Sequence, residues 1–205
     1  MRGQLSIEFL IVFVGMMMIL ATVTYPLYDK AREDADKMAT QLDAREAANT
    51  LANAVNTLYA SGSGAKLVIE YWLPSGTTAV FIGGYENDNV DGVNTTDGSV
   101  SKNGRADVQI RLDLDGNGYW DNTCESVVLV DTLLPSRWDE NGTARTTSWV
   151  RDNCVHVEDN NLRVGSAYST LTRRTYHRTT LTFYDNAAQT YDRRITVSDS
   201  ILESV

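Results

Sequence analysis

The sequence predicts an α+β protein, in which one long N-terminal helix, hydrophobic and then amphipathic, packs on an antiparallel β domain. Three observations predict it. An uncharged run from Phe9 to Tyr28 opens the chain, an apolar period of three and four follows as far as Leu58, and after Ser61 the period falls to two. The helix is therefore expected over residues 4–60 and the β domain over 61–205.

Composition narrows the classes. A chain of 205 residues suffices for one ordinary domain and an appendage. The net charge of −9 is spread over everything after residue 29. No basic stripe is visible, which excludes a nucleic-acid partner. An acidic balance keeps a surface-exposed protein soluble, or reflects cation binding.

The first element is a membrane segment. Phe9 to Tyr28 gives about 20 residues, which at about 1.5 Å each span roughly the 30 Å of a hydrocarbon core. The run is too long for an ordinary secretory signal and has no A-x-A-like site after it. Arg2 stands before it, while Glu33, Asp34 and Asp36 dilute Lys30 and Arg32 beyond it, so the charge rule orients it weakly. The turn-rich downstream region and its two cysteines favour the N-terminus inside and the bulk outside.

The apolar run flows into an amphipathic helix. Tyr28, Ala31, Ala35, Met38, Leu42, Arg45, Ala48, Ala52, Val55 and Leu58 recur at helical spacing and form one stripe. Pro26, at the junction, removes one backbone donor and can kink the chain. Ser61-Gly62-Ser63-Gly64 stops the helix and makes a short joint.

Strand signals follow. Leu67, Ile69, Tyr71 and Leu73 alternate with Val68, Glu70 and Trp72, and Pro74-Ser75-Gly76 turns the chain into Thr77–Ile82. Val108, Ile110, Leu112 and Leu114 alternate in the same way, and Val127–Val130 is a short apolar run. Leu181 and Phe183 face Ile195 and Val197 across an expected hairpin whose turn begins at Asp185-Asn186. Gly83 to Gly104, rich in Asn, Asp, Gly and Thr, reads as a long exposed loop.

Glu8 is the residue that needs a purpose. A carboxylate at the edge of a lipid-spanning run is costly and points to function. Arg2-Gly3-Gln4-Leu5-Ser6-Ile7-Glu8-Phe9-Leu10 resembles the class III signal peptide of euryarchaeal type IV pilins, a Q-x-S-x-E pattern followed directly by a hydrophobic helix. The resemblance covers the first thirty residues and, in outline, the pilin-like lollipop layout; it does not extend to the sequence of the β domain. Val12 stands where that pattern often has leucine. The resemblance implies a leader of residues 1–3, cut by a prepilin peptidase between Gly3 and Gln4. A leader this short is either a minimal signal or the mark of a misplaced start codon. Glu8 then becomes the fifth residue of the mature chain and meets the N-terminal amine of Gln4 on a neighbouring subunit during assembly. The alternative for Glu8 is an interfacial acid at the start of a simple signal anchor. Along the helix, Gly15, Ala21 and Thr22 permit close packing and Met16, Met17 and Met18 adapt to irregular neighbours. The bland alternative is that these are lipid-compatible residues.

The β domain carries three further candidates. Asp113-Leu114-Asp115-Gly116-Asn117-Gly118-Tyr119-Trp120-Asp121 matches the first nine positions of a calcium loop. Asp113, Asp115, Asn117, the Tyr119 carbonyl and Asp121 would supply oxygens to a structural Ca2+. The twelfth position is Cys124; Glu125 comes one residue late and would complete the ligand set if the loop bulges, and the alternative is a hairpin turn that needs no metal. Cys124 and Cys154 are the two cysteines, and a disulfide between them would stabilise the domain by about 3.5 kcal/mol. The alternative there is a zinc site with His156 and His177, although Cys154-Val155-His156 lacks the usual ligand spacing. His156 and His177 are otherwise expected on a sheet surface. Asn94-Thr95-Thr96 and Asn141-Gly142-Thr143 are sequons that export would open to glycosylation, or leave silent.

No nucleophile elbow, phosphate loop or H-E-x-x-H is present, so no enzyme is expected. Tyr71, Trp72, Trp120, Trp138 and Trp149 read as core and edge packing in preference to a sugar platform. The expected function is that of a structural subunit in an archaeal type IV pilus-like surface filament. It would sit in the cytoplasmic membrane before assembly, polymerise with itself through the helix, depend on the pilus assembly machinery, and adhere to surfaces or other cells. The alternatives are a membrane-anchored extracellular binding protein that never polymerises, and a minor or pseudopilin subunit.

Overall fold

The computed structural model describes residues 7–83, 105–116, 126–135, 156–157, 160–162, 170–185 and 193–204. Its contacts divide the chain into two compact units, Met1–Ala39 and Thr40–Val205, so the division falls inside the helix and not at its end.

Helix α1 runs without a break from Ile7 to Ser61, through Pro26. That proline lacks the amide that would donate to the Thr22 carbonyl, a loss a helix tolerates when the turns on both sides are well formed. The helix ends at Gly62, whose φ of +81° puts it in the left-handed region. Its amide donates to the Leu58 carbonyl at 3.2 Å, the usual glycine stop.

Within the unit Thr40–Val205, the last turns of α1 bury Ala44, Ala47, Ala48, Leu51, Ala52, Ala54, Val55 and Leu58. Four of these, Ala48, Ala52, Val55 and Leu58, belong to the expected stripe. The upstream part of that stripe is not buried: Tyr28, Met38 and Leu42 are 66%, 64% and 67% exposed, and Arg45 is exposed as well. Alanines dominate the buried face, and small side chains let strands approach the helix closely.

Among the described residues eight strands follow: β1 (Lys66–Leu73), β2 (Thr77–Gly83), β3 (Arg105–Leu112), β4 (Ser126–Pro135), β5 (His156–Val157), β6 (Asn160–Leu162), β7 (Thr175–Asp185) and β8 (Arg193–Ser204). They form two four-stranded sheets, in the orders β1-β7-β8-β5 and β4-β3-β2-β6. Pairing is antiparallel except where β5 lies parallel to β8 at Arg194 and Ile195. The expected hairpin forms, with Leu181 opposite Val197 and Phe183 opposite Ile195. Strand β4 runs past the expected Val127–Val130, because Thr132 and Leu134 continue its inward alternation.

Leu73, Leu181, Phe183 and Ile195 from one sheet and Val80, Val108, Ile110, Leu112 and Leu134 from the other join the helix residues in one apolar core. Asn56 of α1 accepts the Leu133 amide at 2.7 Å, so a helix side chain satisfies part of the outer edge of β4. Among the described glycines, Gly76 alone combines a left-handed backbone with no room for a side chain. Its φ is +84°, and a Cβ there would lie 2.7 Å from the Asp113 carbonyl oxygen. The same close approach lets Asp113 donate its amide to the Gly76 carbonyl at 2.8 Å.

Candidate functional site

The segment with the strongest functional character is the N-terminal part of α1. Every residue from Ile7 to Asp36 is exposed, although the stretch is apolar from Phe9 to Tyr28. It is long and apolar enough to cross a membrane, and none of that apolar window is buried inside the protein. Phe9 and Phe13 stack one turn apart, with centroids 6.5 Å apart and planes inclined by 19°. Nothing approaches the position of a Cβ on Gly15. The Thr22 hydroxyl donates to the Ile19 carbonyl at 2.9 Å, so its polar group is satisfied within the helix. A segment of this kind is compatible with membrane insertion.

Glu8 lies in the first turn of α1, exposed, where the helix dipole favours an acid. Gly3 and Gln4, the expected processing and assembly positions, lie outside the described residues. Further along, Lys37 and Glu33 pair at 2.5 Å across one turn, and the Lys37 hydrogen bond holds the Glu33 carboxyl below its ordinary value.

Of the calcium-loop candidates, Asp113 and Asp115 are described; Asn117, Tyr119, Asp121 and Glu125 are not. Asp113 is buried at the end of β3. One carboxylate oxygen accepts the Gly116 amide at 2.7 Å and the other accepts the Thr170 hydroxyl at 3.0 Å. The aspartate thus organises a turn with its own oxygens. Among the described residues no group of three or more His, Cys, Asp or Glu is placed to hold a metal ion. Cys124, Cys154, Asn94 and Asn141 lie outside the described residues, as do Trp120, Trp138, Trp149 and the side chain of His156.

His177 is not on the sheet surface expected for it: it is 1% exposed, on the face of β7 that it shares with Leu181 and Phe183. Its Nδ1 lies 2.6 Å from the Asp199 carboxylate and its Nε2 lies 2.8 Å from the Thr175 hydroxyl. The Thr179 hydroxyl donates to the other Asp199 oxygen, and the Tyr71 hydroxyl meets Thr179 at 3.1 Å. Tyr71 stacks on the imidazole at 5.8 Å. Burial, and then the nearby Asp199 charge, pushes the Tyr71 phenol well above its ordinary value. Acid, imidazole and hydroxyl stand in the order of a nucleophilic triad, yet the Thr175 hydroxyl is buried. This is a satisfied internal network.

A second cluster opens to solvent along β1 and β7. Glu70 accepts the Tyr176 hydroxyl at 2.7 Å and two bonds from Arg178 at 2.8 and 2.6 Å. The Tyr176 bond and then Arg178 hold the Glu70 carboxyl below its ordinary value, and the same Glu70 bond raises the Tyr176 phenol. Beside them Trp72 packs on Tyr176 with centroids 4.8 Å apart, and the Arg174 guanidinium lies 5.2 Å over the Trp72 ring. Trp72 is therefore gathered with Tyr176, which sequence reasoning did not single out, while Tyr71 belongs to the buried His177 network. The signal was there in the pairing of two alternating strands, Trp72 falling opposite Tyr176.

No protein-family model, curated protein or solved structure matches this chain.

Proposed function

We propose that this protein is a structural subunit of an archaeal type IV pilus-like surface filament. It would be processed between Gly3 and Gln4, held in the cytoplasmic membrane by α1, and polymerised through that helix. The observation that carries the reading is the fully exposed apolar run headed by Glu8. A bare helix of this kind needs lipid around it before assembly and other helices around it afterwards. Tyr28, Ala31, Ala35, Met38 and Leu42 support the same reading, because they recur at three and four and remain exposed, as a seam awaiting other helices does. Subunits related by a screw axis make contacts that do not close, which is what a fibre requires. The β domain would then coat the fibre and meet surfaces or other cells, with a structural Ca2+ at the turn after β3.

Mass spectrometry with N-terminal sequencing of filaments sheared from the cell surface tests this. The expected result is a dominant chain that begins at Gln4. A chain missing from the filaments, and keeping Met1 in the membrane fraction, would replace this reading with an anchored extracellular binding protein. Trace amounts in the filaments would make it a minor subunit.

A further inference from the structure

The end of the apolar run farthest from Glu8 carries a face whose part before assembly the filament reading leaves open. Tyr25, Tyr28 and Arg32 follow one another at spacings of three and four, so they share one side of α1, within the unit Met1–Ala39. Both tyrosines are exposed, by 69% and 66%. Three observations point to the edge of a hydrocarbon layer at this turn. Thr22 returns its hydroxyl to the Ile19 carbonyl, as a hydroxyl surrounded by hydrocarbon must, whereas the hydroxyls of Tyr25 and Tyr28 meet no acceptor among the described residues. Pro26 leaves the Thr22 carbonyl without its helical donor, a loss that a polar layer within reach makes good. Asp29, the first ionisable side chain after Glu8 apart from the two tyrosines, follows at once and bounds the run.

We propose that this face meets phospholipid headgroups and sets the depth of the unassembled subunit, Tyr25 and Tyr28 donating to headgroup oxygens and Arg32 reaching back to a phosphate. Tyrosine suits that level because its ring lies against acyl chains while its hydroxyl stays in the polar layer. The charges are complementary. Arg32 forms no ion pair among the described residues, and its long stem lets the guanidinium reach a phosphate one turn nearer the bilayer. Asp29 and Asp36, three and four residues from Arg32 on the same side of the helix, oppose any deeper entry. The inference rests on the membrane stage of the filament reading, and it adds the residues that fix where the helix stops.

The full chain in bicelles of phosphatidylcholine and phosphatidylglycerol provides the test. One sample carries 3-fluorotyrosine and a second carries 4-fluorophenylalanine. The Tyr25, Tyr28 and Phe13 signals are assigned by their loss in Tyr25→Phe, Tyr28→Phe and Phe13→Leu. Two relaxation agents are then compared, a lipid with a gadolinium chelate on its headgroup and a lipid with a nitroxide at the end of its acyl chain. The headgroup agent is expected to broaden Tyr25 and Tyr28, and the chain-end agent Phe13. In the double variant Tyr25→Leu with Tyr28→Leu, the leucines sink into hydrocarbon and draw Phe13 away from the midplane, so its broadening by the chain-end agent should fall. Tyrosine signals broadened more by the chain-end agent, or by neither agent while Phe13 still responds, would overturn the proposal and leave membrane insertion standing. An unchanged Phe13 in the double variant would overturn it too, because the tyrosines would then ride at the interface without setting the depth. A wild-type Phe13 that the chain-end agent does not broaden would remove the insertion itself, and the membrane stage of the filament reading with it.

Discussion

Tyr71, His177, Thr179 and Asp199 place polar atoms in a core, and each atom has a partner within reach. Such a network is costly to leave half made, because a stranded buried donor loses water without gaining a bond. Asp199→Ala removes the acceptor of both the His177 ring and the Thr179 hydroxyl. A loss of about 2–4 kcal/mol in urea denaturation is expected. A loss under about 0.5 kcal/mol, the size of an ordinary surface change, would show that the network contributes nothing. Two residues also set the pH limits. Glu70 has a lowered folded value, so its contribution is complete above about pH 4.5 and is lost as acid titrates the carboxylate through that lowered value. Tyr71 has a raised folded value, so its contribution is complete below about pH 10 and fades as pH rises past it. Stability measured against pH should decline less steeply in acid for Glu70→Gln and less steeply in alkali for Tyr71→Phe. Unchanged slopes would refute these assignments. The acidic-limb pair was legible only in part, because Glu70 meets Tyr176 and Arg178 through strand register and not through proximity in sequence. His177 was misread for a related reason. Its inward-facing neighbours on β7 are Thr175 and Thr179, which hide the buried face of a strand from an apolar count.

At the scale of elements, the periods three-four and two located α1, β1, β3 and the β7–β8 hairpin, because each carries a run of apolar residues on a buried face, such as Leu181 and Phe183 on β7. They failed where a helix buries alanine. Ala44, Ala47 and Ala54 carry the packing, while the bulkier Met38 and Leu42, which dominate any hydropathy count, face outward. Beyond the β7–β8 hairpin, strand order within the two sheets was not legible, since alternation does not name a partner. The helix reading has a direct test in the isolated subunit. Leu51→Ala, at a fully buried site, should cost about 2–5 kcal/mol, and Leu42→Ala should stay within about 0.5 kcal/mol. Equal costs, read by denaturation of the full chain in micelles, would contradict the buried face described above. The turn after β3 separates in a similar way. Asp113 organises the turn through Gly116 and Thr170 even without a cation, so Asp113→Ala should destabilise with or without calcium. Asp115→Asn should remove only the loss of thermal stability that EDTA causes in the wild type. If EDTA leaves the wild-type melting temperature unchanged, the turn holds no structural calcium.

For the whole molecule, the deciding residue is Glu8, and its role differs between the two fates open to an exposed apolar helix. In a simple anchor the carboxylate rests among lipid headgroups, where replacing it changes little. In a filament it is carried into a low-dielectric helix core, where an unpaired charge costs several kcal/mol and an opposite charge on the next subunit relieves much of that. A pair of that kind also selects one alignment of neighbouring helices, as a buried polar group does in a helix bundle. Glu8→Ala should therefore leave export, processing and membrane insertion intact and abolish filaments, with the chain accumulating in the membrane. Immunoblots of the membrane fraction and electron microscopy of sheared material would read the two outcomes separately. A Gly3 substitution that blocks cleavage should give the same absence of filaments from the other side of the pair, because the amine of Gln4 is never released. Loss of filaments in both variants, with the chain present in the membrane, is the result a charge pair across the subunit interface requires. Filaments in wild-type number from Glu8→Ala would return the glutamate to the headgroup region and leave the helix as an anchor alone.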